Sequence, residues 1–408
     1  MPEKKRKKNQ NKWVRGRHKV VRNIAFCLVG AYVRIKSHVK VEKFNEGKDR
    51  QFLIIMNHTT SFDQFFVGMA FKQPIYYIAS EDLFSNGFVS KLLSYFLAPI
   101  PIKKQTTDIR AVRDCLRVAR EGGTIALAPE GNRTYSGRTG FFKPSIASLA
   151  KKLKLPVAVF RIEGGYGAQP RWSDVWRKGK LRAYVSRVIE PEEYKELSDE
   201  EMFKLIEKEM YVDEAVADGT YEHEKLAEYL ERAMYVCPYC GLSEFESHDD
   251  IIECKKCGRK IRYRSTKELE GVGFEFPYRF AADWYDYQCD YINSLDVLSF
   301  GDNAIYTDTT SLSEVILYKR KQLICKEAKM TLYNDKITAD IGNEVLTLPF
   351  DKISVITVLG RNKLNIYCGD KLYQLKGDKR FNALKYMNLY YRRKNMEESV
   401  ENGQFLGL

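Results

Sequence analysis

The first half of the chain alternates short apolar runs with segments of helical periodicity. Six apolar runs predict strands at 52–56, 75–79, 99–102, 124–128, 157–162 and 181–188. Four intervening segments predict helices at 62–72, 86–97, 107–121 and 144–153. Alternation of this kind is typical of an α/β domain with a mostly parallel sheet.

The pattern changes twice after residue 190. Residues 192–235 are rich in Glu and periodic, which predicts two helices split near Asp218–Gly219 that pack on the first domain or link it onward. An aromatic-rich helix is then predicted near 278–294, and another helix closes the last domain at about 379–393. Between them, short strands are predicted at 315–318, 330–333, 336–339, 345–348, 353–358, 364–367 and 372–375. Many strands followed by a helix resemble the pleckstrin-homology or GRAM-like fold.

A histidine and a carboxylate follow the first apolar run, in the sequence Asn57-His58-Thr59-Thr60-Ser61-Phe62-Asp63. A continuous helix would place His58 and Asp63 roughly 140° apart, so they can meet only if the chain turns between them. We expect Ser61 to cap a helix that begins near Phe62. Asp63 would then bind one imidazole nitrogen, and the other would take a proton from a substrate hydroxyl. The alternative is a simple surface or capping pair.

A second polar turn follows the apolar run at 124–128, with the sequence Pro129-Glu130-Gly131-Asn132-Arg133-Thr134. In an open parallel sheet, ligands bind beyond the carboxyl ends of the strands. We therefore expect Glu130, Gly131 and Arg133 to lie near His58. The planar guanidinium of Arg133 suits phosphate oxygens.

These motifs resemble those of the 1-acylglycerol-3-phosphate acyltransferase family. Asn57-His58 with Asp63 resembles its N-H-x-x-x-x-D motif, and the turn at 129–134 resembles its P-E-G-x-R-S/T motif. Leu155-Pro156-Val157 resembles a further block, and the likeness extends over roughly residues 20–190. One block departs from the family: where an arginine is usual, the best match is Pro101-Ile102-Lys103-Lys104. Lysine keeps the charge but loses the bidentate fork.

The resemblance implies an O-acyltransferase that moves an acyl group from acyl-CoA or acyl carrier protein to 1-acyl-sn-glycerol-3-phosphate, giving phosphatidic acid. His58 would be the general base and Asp63 the group that orients it. No acyl-enzyme is needed, and the chain contains no G-x-S-x-G motif. The expected substrate-binding residues are Glu130, Gly131, Arg133, Lys103 and Lys104, with Arg138 and Lys143 as weaker candidates.

Three alternatives remain open around this site. Glu130 either positions a hydroxyl or holds Arg133. The lysines are either phosphate ligands or part of a solvated basic face. The acceptor is either 1-acyl-sn-glycerol-3-phosphate or another lysolipid.

The positive charge is concentrated in the half that carries the motifs. The net charge is +12 over residues 1–50, +12 over 51–189 and −11 over 190–232. A basic cluster at 4–8 precedes a partly amphipathic segment whose longest uncharged stretch, Asn23 to Val33, has eleven residues. Spanning a bilayer takes about 20. We expect residues 1–34 to lie on an anionic membrane at the cytoplasmic face, as a peripheral or monotopic anchor. The alternative is a core-packing helix behind a basic tail.

Four of the nine cysteines form paired C-x-x-C knuckles separated by thirteen residues. The spacing predicts a zinc ribbon with a structural, four-thiolate ion held by Cys237, Cys240, Cys254 and Cys257. A basic zinc-ribbon protein could bind nucleic acid, but that function would leave the ordered acyltransferase motifs unexplained. We therefore expect no nucleic-acid partner. The other five cysteines are scattered, which favours buried thiols in a reducing cytosol.

The predicted organisation has five parts. They are a membrane-associating N-terminus at 1–34, an acyltransferase domain at 35–190, an acidic helical linker at 191–235, a zinc ribbon at 236–264 and a β-rich PH/GRAM-like accessory domain at 265–408.

Overall fold

The computed structural model describes residues 12–46, 50–85, 87–102, 108–216, 219–316 and 319–399. The chain divides into two compact units. The first comprises Met1–Gly131, Phe142–Gly165 and Lys180–Val212. The second comprises Asn132–Phe141, Tyr166–Gly179 and Asp213–Leu408, so two loops from the first half of the sequence belong to it.

The first unit is built on a seven-stranded sheet of order β1-β8-β6-β2-β5-β3-β4. The strands of this part of the chain are β1 (Lys40–Val41), β2 (Leu53–Met56), β3 (Ile75–Ser80), β4 (Ile100–Ile102), β5 (Thr124–Leu127), β6 (Val157–Glu163), β7 (Lys178–Gly179) and β8 (Arg182–Ile189). All neighbours in the sheet are parallel except β6 and β8, and β7 belongs to the second unit. The predicted α/β fold with a mostly parallel sheet is confirmed.

Helices connect these strands. They are α1 (Gly16–Ser37), α2 (Asp63–Ala70), α3 (Phe88–Phe96), α4 (Ile109–Arg120), α5 (Ser145–Leu153), α6 (Gly165–Ala168), α7 (Pro191–Tyr194) and α8 (Asp199–Met210), with a 3₁₀ helix at Glu81–Ser85. Every residue of β2 is buried, which explains its uninterrupted apolar sequence. Met202 and Ile206 of α8 join the same core as β2, so the first helix of the acidic segment packs on this unit, one of the two predicted placements.

The second helix predicted in the acidic segment is wrong. Between residues 219 and 235, the regular elements are a short strand, β9 (Tyr221–Glu222), and a 3₁₀ helix at Leu230–Arg232. Polar Glu231 and Arg232 are buried together with the apolar residues around them. Residues 222–225 are exposed whereas most residues from Leu226 to Cys237 are buried, so burial does not recur with the 3.6-residue period of a surface helix.

The second unit contains small antiparallel sheets around the cysteine knuckles. Their strands are β10 (Val236–Cys237), β11 (Gly241–Leu242), β12 (Phe245–His248), β13 (Ile251–Cys254), β14 (Lys260–Tyr263) and β15 (Leu269–Gly271).

A seven-stranded antiparallel sheet of order β19-β18-β17-β16-β22-β21-β20 follows. Its strands are β16 (Tyr306–Ile316), β17 (Arg320–Leu332), β18 (Lys336–Asp340), β19 (Val345–Pro349), β20 (Ile353–Leu359), β21 (Lys363–Cys368) and β22 (Lys371–Lys376). The helices of this part are α9 (Ala281–Ser294) and α10 (Leu384–Glu397), with 3₁₀ helices at Val297–Phe300 and Phe350–Lys352. The β-rich prediction is confirmed, but β16 and β17 are far longer than the short strands expected there.

Within the described part of the chain, no helix combines the length and apolar character needed to cross a bilayer.

Candidate active site

His58 and Asp63 meet across the turn between β2 and α2. The imidazole Nδ1 lies 2.7 Å from Oδ2 of Asp63, whose side chain is fully buried, while that of His58 is 25% exposed. A carboxylate only accepts hydrogen bonds, so Nδ1 carries the proton and Nε2 is the nitrogen suited to act as a base. This is the arrangement that the spacing in the sequence predicted.

The Asp63 carboxylate is held by donors from its own turn. The backbone N–H of Thr59 donates to Oδ2 at 2.8 Å, and that of Thr60 donates to Oδ1 at 3.0 Å. The Thr60 hydroxyl donates to Oδ1 at 2.6 Å. Because a buried carboxylate needs several donors, these contacts fix its position beside Nδ1 of His58.

The expected capping role of Ser61 is wrong. Helix α2 begins at Asp63, its N-cap is Phe62, and no side chain caps it. The N–H of Phe62 donates instead to the Thr60 hydroxyl at 3.1 Å. Thr60 and Asp63 thus accept N–H groups of the turn that precedes the helix, and they do not cap the helix itself.

Glu130 connects the second polar turn to the first. Its Oε1 accepts the backbone N–H of His58 at 2.8 Å, and the side chain is only 4% exposed. Gly131 follows with φ of 72°, a left-handed conformation that glycine adopts without strain, and its N–H donates to Ala128. The structure therefore places Glu130 against His58, through a backbone contact that neither sequence alternative for Glu130 included.

The predicted cationic ligands lie in different parts of the structure. Arg133 belongs to the second unit, where its carbonyl oxygen accepts from Nη1 of Arg171 at 3.0 Å. Lys143 is exposed in the first unit. Lys103 and Lys104 lie outside the described residues.

Arg138, a weaker candidate, is committed elsewhere. It forms ion pairs within the second unit with Asp213 at 2.9 Å, with Asp283 at 2.9 Å and with Asp286. Because these three carboxylates already compensate the charge of the guanidinium, we do not assign Arg138 to the acceptor phosphate.

Two residues of the site had no assigned role in the sequence analysis. Asn57 exchanges two hydrogen bonds of 2.8 Å with the backbone of Ile162, which extends the pairing of β2 with β6 beyond Met56. A Cβ at Gly165 would lie 2.2 Å from the Thr59 hydroxyl, so only glycine fits beside this turn. In the sequence, the Gly164-Gly165 pair after an apolar run could have indicated that another segment packs closely against the backbone there.

The four cysteines of the knuckles converge in the second unit. Their sulfur atoms all lie within 4.8 Å of one another, with Cys237 and Cys254 buried and Cys240 and Cys257 partly exposed. The glycine after each knuckle has positive φ, as the tight turns require. Four convergent thiols are the donor set of a tetrahedral structural zinc site.

Comparisons with known proteins agree with the motifs. Residues 34–163 match the model of the acyltransferase family. A chloroplastic 1-acyl-sn-glycerol-3-phosphate acyltransferase, BAT2 of Brassica napus, is 23% identical over 40% of this chain and 47% of its own length. The chloroplastic LPAT1 of Arabidopsis thaliana is 22% identical over 40% of this chain and 46% of its own length.

The chain thus spans about half the length of these curated relatives. A crystal structure of the PlsC acyltransferase from Thermotoga maritima aligns with a TM-score of 0.38 at 25% identity, over 47% of this chain and 75% of that one. Residues 34–163 thus match an acyltransferase domain, and both sequence motifs lie within this matched region.

Proposed function

We propose that the protein transfers a fatty acyl group from a thioester to the free hydroxyl of 1-acyl-sn-glycerol-3-phosphate, giving phosphatidic acid for phospholipid biosynthesis. The observation that carries the proposal is the His58–Asp63 pair, whose Nδ1 and Oδ2 atoms lie 2.7 Å apart. Glu130, after the neighbouring strand β5, holds this turn by accepting the backbone N–H of His58. Acyl-CoA and acyl carrier protein are both suitable donors, since each presents the same thioester.

The reaction needs one proton carrier. Nε2 of His58 takes the proton of the acceptor hydroxyl while its oxygen attacks the thioester carbonyl, forming a tetrahedral intermediate. When the C–S bond breaks, the imidazolium returns the proton to the leaving thiolate. Asp63 stabilises the imidazolium in between and keeps Nε2 directed at the substrate. General-base catalysis of this kind contributes about 10²–10⁴-fold to the rate.

The acceptor phosphate is assigned to Arg133, with Lys103 and Lys104 in support. The assignment rests on motif position, because Arg133 follows Glu130 by three residues in the P-E-G-x-R-T turn. The second candidate function keeps the chemistry and changes the acceptor to another lysolipid. It is favoured by the lysines that replace the usual arginine in the second block.

The direct test is thioester turnover against a panel of lysolipid acceptors. We expect release of free thiol with 1-acyl-sn-glycerol-3-phosphate, and loss of that release when His58 is replaced by alanine. Preference for a lysolipid without a phosphate monoester would favour the second candidate. Full turnover by a folded His58→Ala variant would contradict the mechanism.

We further propose that α1 lies on an anionic membrane at the cytoplasmic face, as a peripheral or monotopic anchor. Its exposed apolar residues recur on one stripe: Val20, Ile24, Leu28, Tyr32 and Ile35, at 58–75% exposure. The helix contains five lysines and arginines and no acidic residue. His18 and Val33 on the opposite stripe are buried, so α1 both packs on the first unit and presents an apolar face.

For the second unit we propose a structural zinc ion at the four cysteines and a PH/GRAM-like accessory domain from about residue 265. Four protein ligands fill a tetrahedral site, so the zinc would stabilise the fold and would not contact substrate. The order of the seven antiparallel strands and the closing helix α10 support the second assignment. The predicted division of the chain stays a proposal except at 191–235, where only the first part is helical and packs on the first unit.

A further inference from the structure

A basic cavity lies beside the start of α1, in the first unit. Its volume is about 630 Å³, which falls in the range of ligand sites. The wall contains four cationic side chains, a tryptophan and a histidine: Lys12, Arg15, Arg17, Arg117, Trp13 and His18. Arg117 forms an ion pair with Glu121 at 3.0 Å, so Lys12, Arg15 and Arg17 supply most of the positive charge of the wall. A cavity lined in this way concentrates positive potential and attracts anions.

The wall is built by specific contacts. Nε1 of Trp13 donates to the carbonyl of Ala98 at 2.8 Å, and the backbone N–H of Trp13 donates to Glu121 at 2.6 Å. The Arg17 guanidinium stacks 3.7 Å above the ring of Tyr95 and donates to its carbonyl oxygen. These contacts fix the segment before α1 against α3 and α4, so the charges are held in place before any ligand arrives.

A buried histidine belongs to the wall. His18 is 3% exposed, and its Nδ1 lies 2.9 Å from the hydroxyl of Tyr76. Burial raises the pKa of Tyr76 to about 12, so its hydroxyl stays protonated and can donate to Nδ1. The His18 ring also makes a hydrogen bond with the backbone of Tyr95, so His18 stabilises the wall and is not counted among the anion ligands.

The cavity lies away from the acyl-transfer site. It adjoins β4, the edge strand, whereas His58 follows β2, three strand spacings or about 14 Å across the sheet. This lateral separation places the cavity apart from His58.

An exposed apolar surface adjoins the cavity. Helix α3 and the residue after it expose large apolar side chains, namely Phe88, Val89, Leu92, Tyr95, Phe96 and Leu97. Tyr95 is the ring on which Arg17 of the cavity stacks. A phosphate site beside an apolar face matches the two parts of an anionic phospholipid, a charged head group and its chains.

We propose that this cavity binds a phosphate group, supplied by the head group of an anionic phospholipid, as an anchoring site distinct from the acyl-acceptor site. The proposal does not depend on the acyltransferase function, because binding can be measured without turnover. It deepens the proposed attachment of α1 to an anionic membrane and rests on that attachment, whereas binding of inorganic phosphate tests the cavity by itself. A free phosphate ion has the same chemistry and is distinguished by experiment.

The test uses the full chain and two double variants of equal charge. Lys12→Gln/Arg15→Gln removes two cations of the cavity, and Lys19→Gln/Arg34→Gln removes two exposed cations from the same helix α1 outside it. Binding is measured by sedimentation with phosphatidylcholine vesicles that contain or lack phosphatidylglycerol. Titration calorimetry with inorganic phosphate forms the second arm. Thermal unfolding verifies that both variants remain folded.

We expect the cavity variant to bind phosphatidylglycerol vesicles at least about tenfold more weakly than the control variant. If only the general surface charge mattered, both variants would lose the same amount of vesicle binding, because each cation near an anionic membrane contributes a similar amount. Equal losses in vesicle binding, with no phosphate binding that depends on Lys12 and Arg15, would overturn the proposal. Phosphate binding that depends on these residues, with equal losses on vesicles, would retain the phosphate site and refute the lipid as its source.

A pair of single charge reversals covers the case in which the double variant unfolds. Lys12→Glu acts at an exposed side chain of the cavity, and Lys19→Glu is its match on α1. The same order of binding is expected, with the cavity variant the weaker. The reverse order, or no difference, would overturn the proposal.

Discussion

Replacing Asp63 by asparagine tests the catalytic turn most directly, because the side chains have nearly the same shape. In the wild-type turn, Oδ2 of Asp63 accepts from His58 and Thr59, and Oδ1 accepts twice from Thr60. An amide offers one oxygen and one NH₂ group. With the NH₂ group at the Oδ2 position, the N–H of Thr59 loses its acceptor; at the Oδ1 position, the N–H of Thr60 keeps only its 3.1 Å contact with the other oxygen.

Asp63→Asn should affect both the folding free energy and kcat. One unsatisfied buried N–H costs about 1–3 kcal/mol of folding free energy. The neutral amide also removes the charge that stabilises the imidazolium, and if its NH₂ group faces Nδ1 of His58, the proton moves to Nε2 and the base is lost. We therefore expect kcat to fall about 10²–10⁴-fold, with little change in the KM of the acceptor.

The assay is release of free thiol from the acyl donor at saturating acceptor. The control is Asp108→Ala, which removes the N-cap of α4, where the Asp108 carboxylate accepts from the backbone of Arg110 and Ala111. That change lowers stability by about 1 kcal/mol without touching His58, so its kcat should stay near that of the wild type. A folded Asp63→Asn protein with kcat within tenfold of the wild-type value would refute this reasoning.

Four further predictions address the other parts of the molecule. Arg133→Ala should raise the KM of a phosphate-bearing acceptor about tenfold or more while sparing the KM of the thioester, and equal effects on both would contradict the assignment. Leu28→Asp, on the exposed stripe of α1, should weaken vesicle sedimentation about tenfold or more by losing one buried apolar side chain, and unchanged sedimentation would place the anchor elsewhere. Cys254→Ser should lose one bound zinc per chain, measured by metal analysis, and should expose the ribbon to protease. Acyl transfer should survive better than in a His58 variant. A folded Cys254→Ser protein without acyl transfer would contradict a structural zinc. Gly165→Ala should lower both stability and kcat, since its Cβ would clash with the catalytic turn, whereas Gly16→Ala, with open space around it, should change neither.

The parallel strands could be predicted from the sequence because buried strands appear as uninterrupted apolar runs. The run at 124–128 corresponds to Thr124–Leu127 and that at 157–162 to Val157–Glu163. Strands covered on both faces must be apolar throughout, so their ends coincide with the ends of the apolar runs. The long hairpin of β16 and β17 has no such signature, because exposed polar and charged residues interrupt it and neighbouring strands determine its length.

The site could be predicted only where both partners lie close in sequence. The contact between His58 and Asp63 follows from five residues of spacing and a turn. The contact of Glu130 with the backbone of His58 joins residues 72 positions apart, and the identity of a backbone donor leaves no trace in side-chain types. The P-E-G motif revealed that Glu130 belongs at the site, but only the fold reveals what it holds.

That contact changes how a substitution at Glu130 should be interpreted. Loss of activity in Glu130→Gln would ordinarily suggest that the carboxylate binds substrate. Here the glutamine oxygen can still accept the N–H of His58, whereas Glu130→Ala would release the turn that carries the base. If Glu130 only positions that turn, Glu130→Gln should retain most of kcat and Glu130→Ala should not. If it also binds the acceptor hydroxyl, both variants should lose activity, and the KM of the acceptor should rise in each.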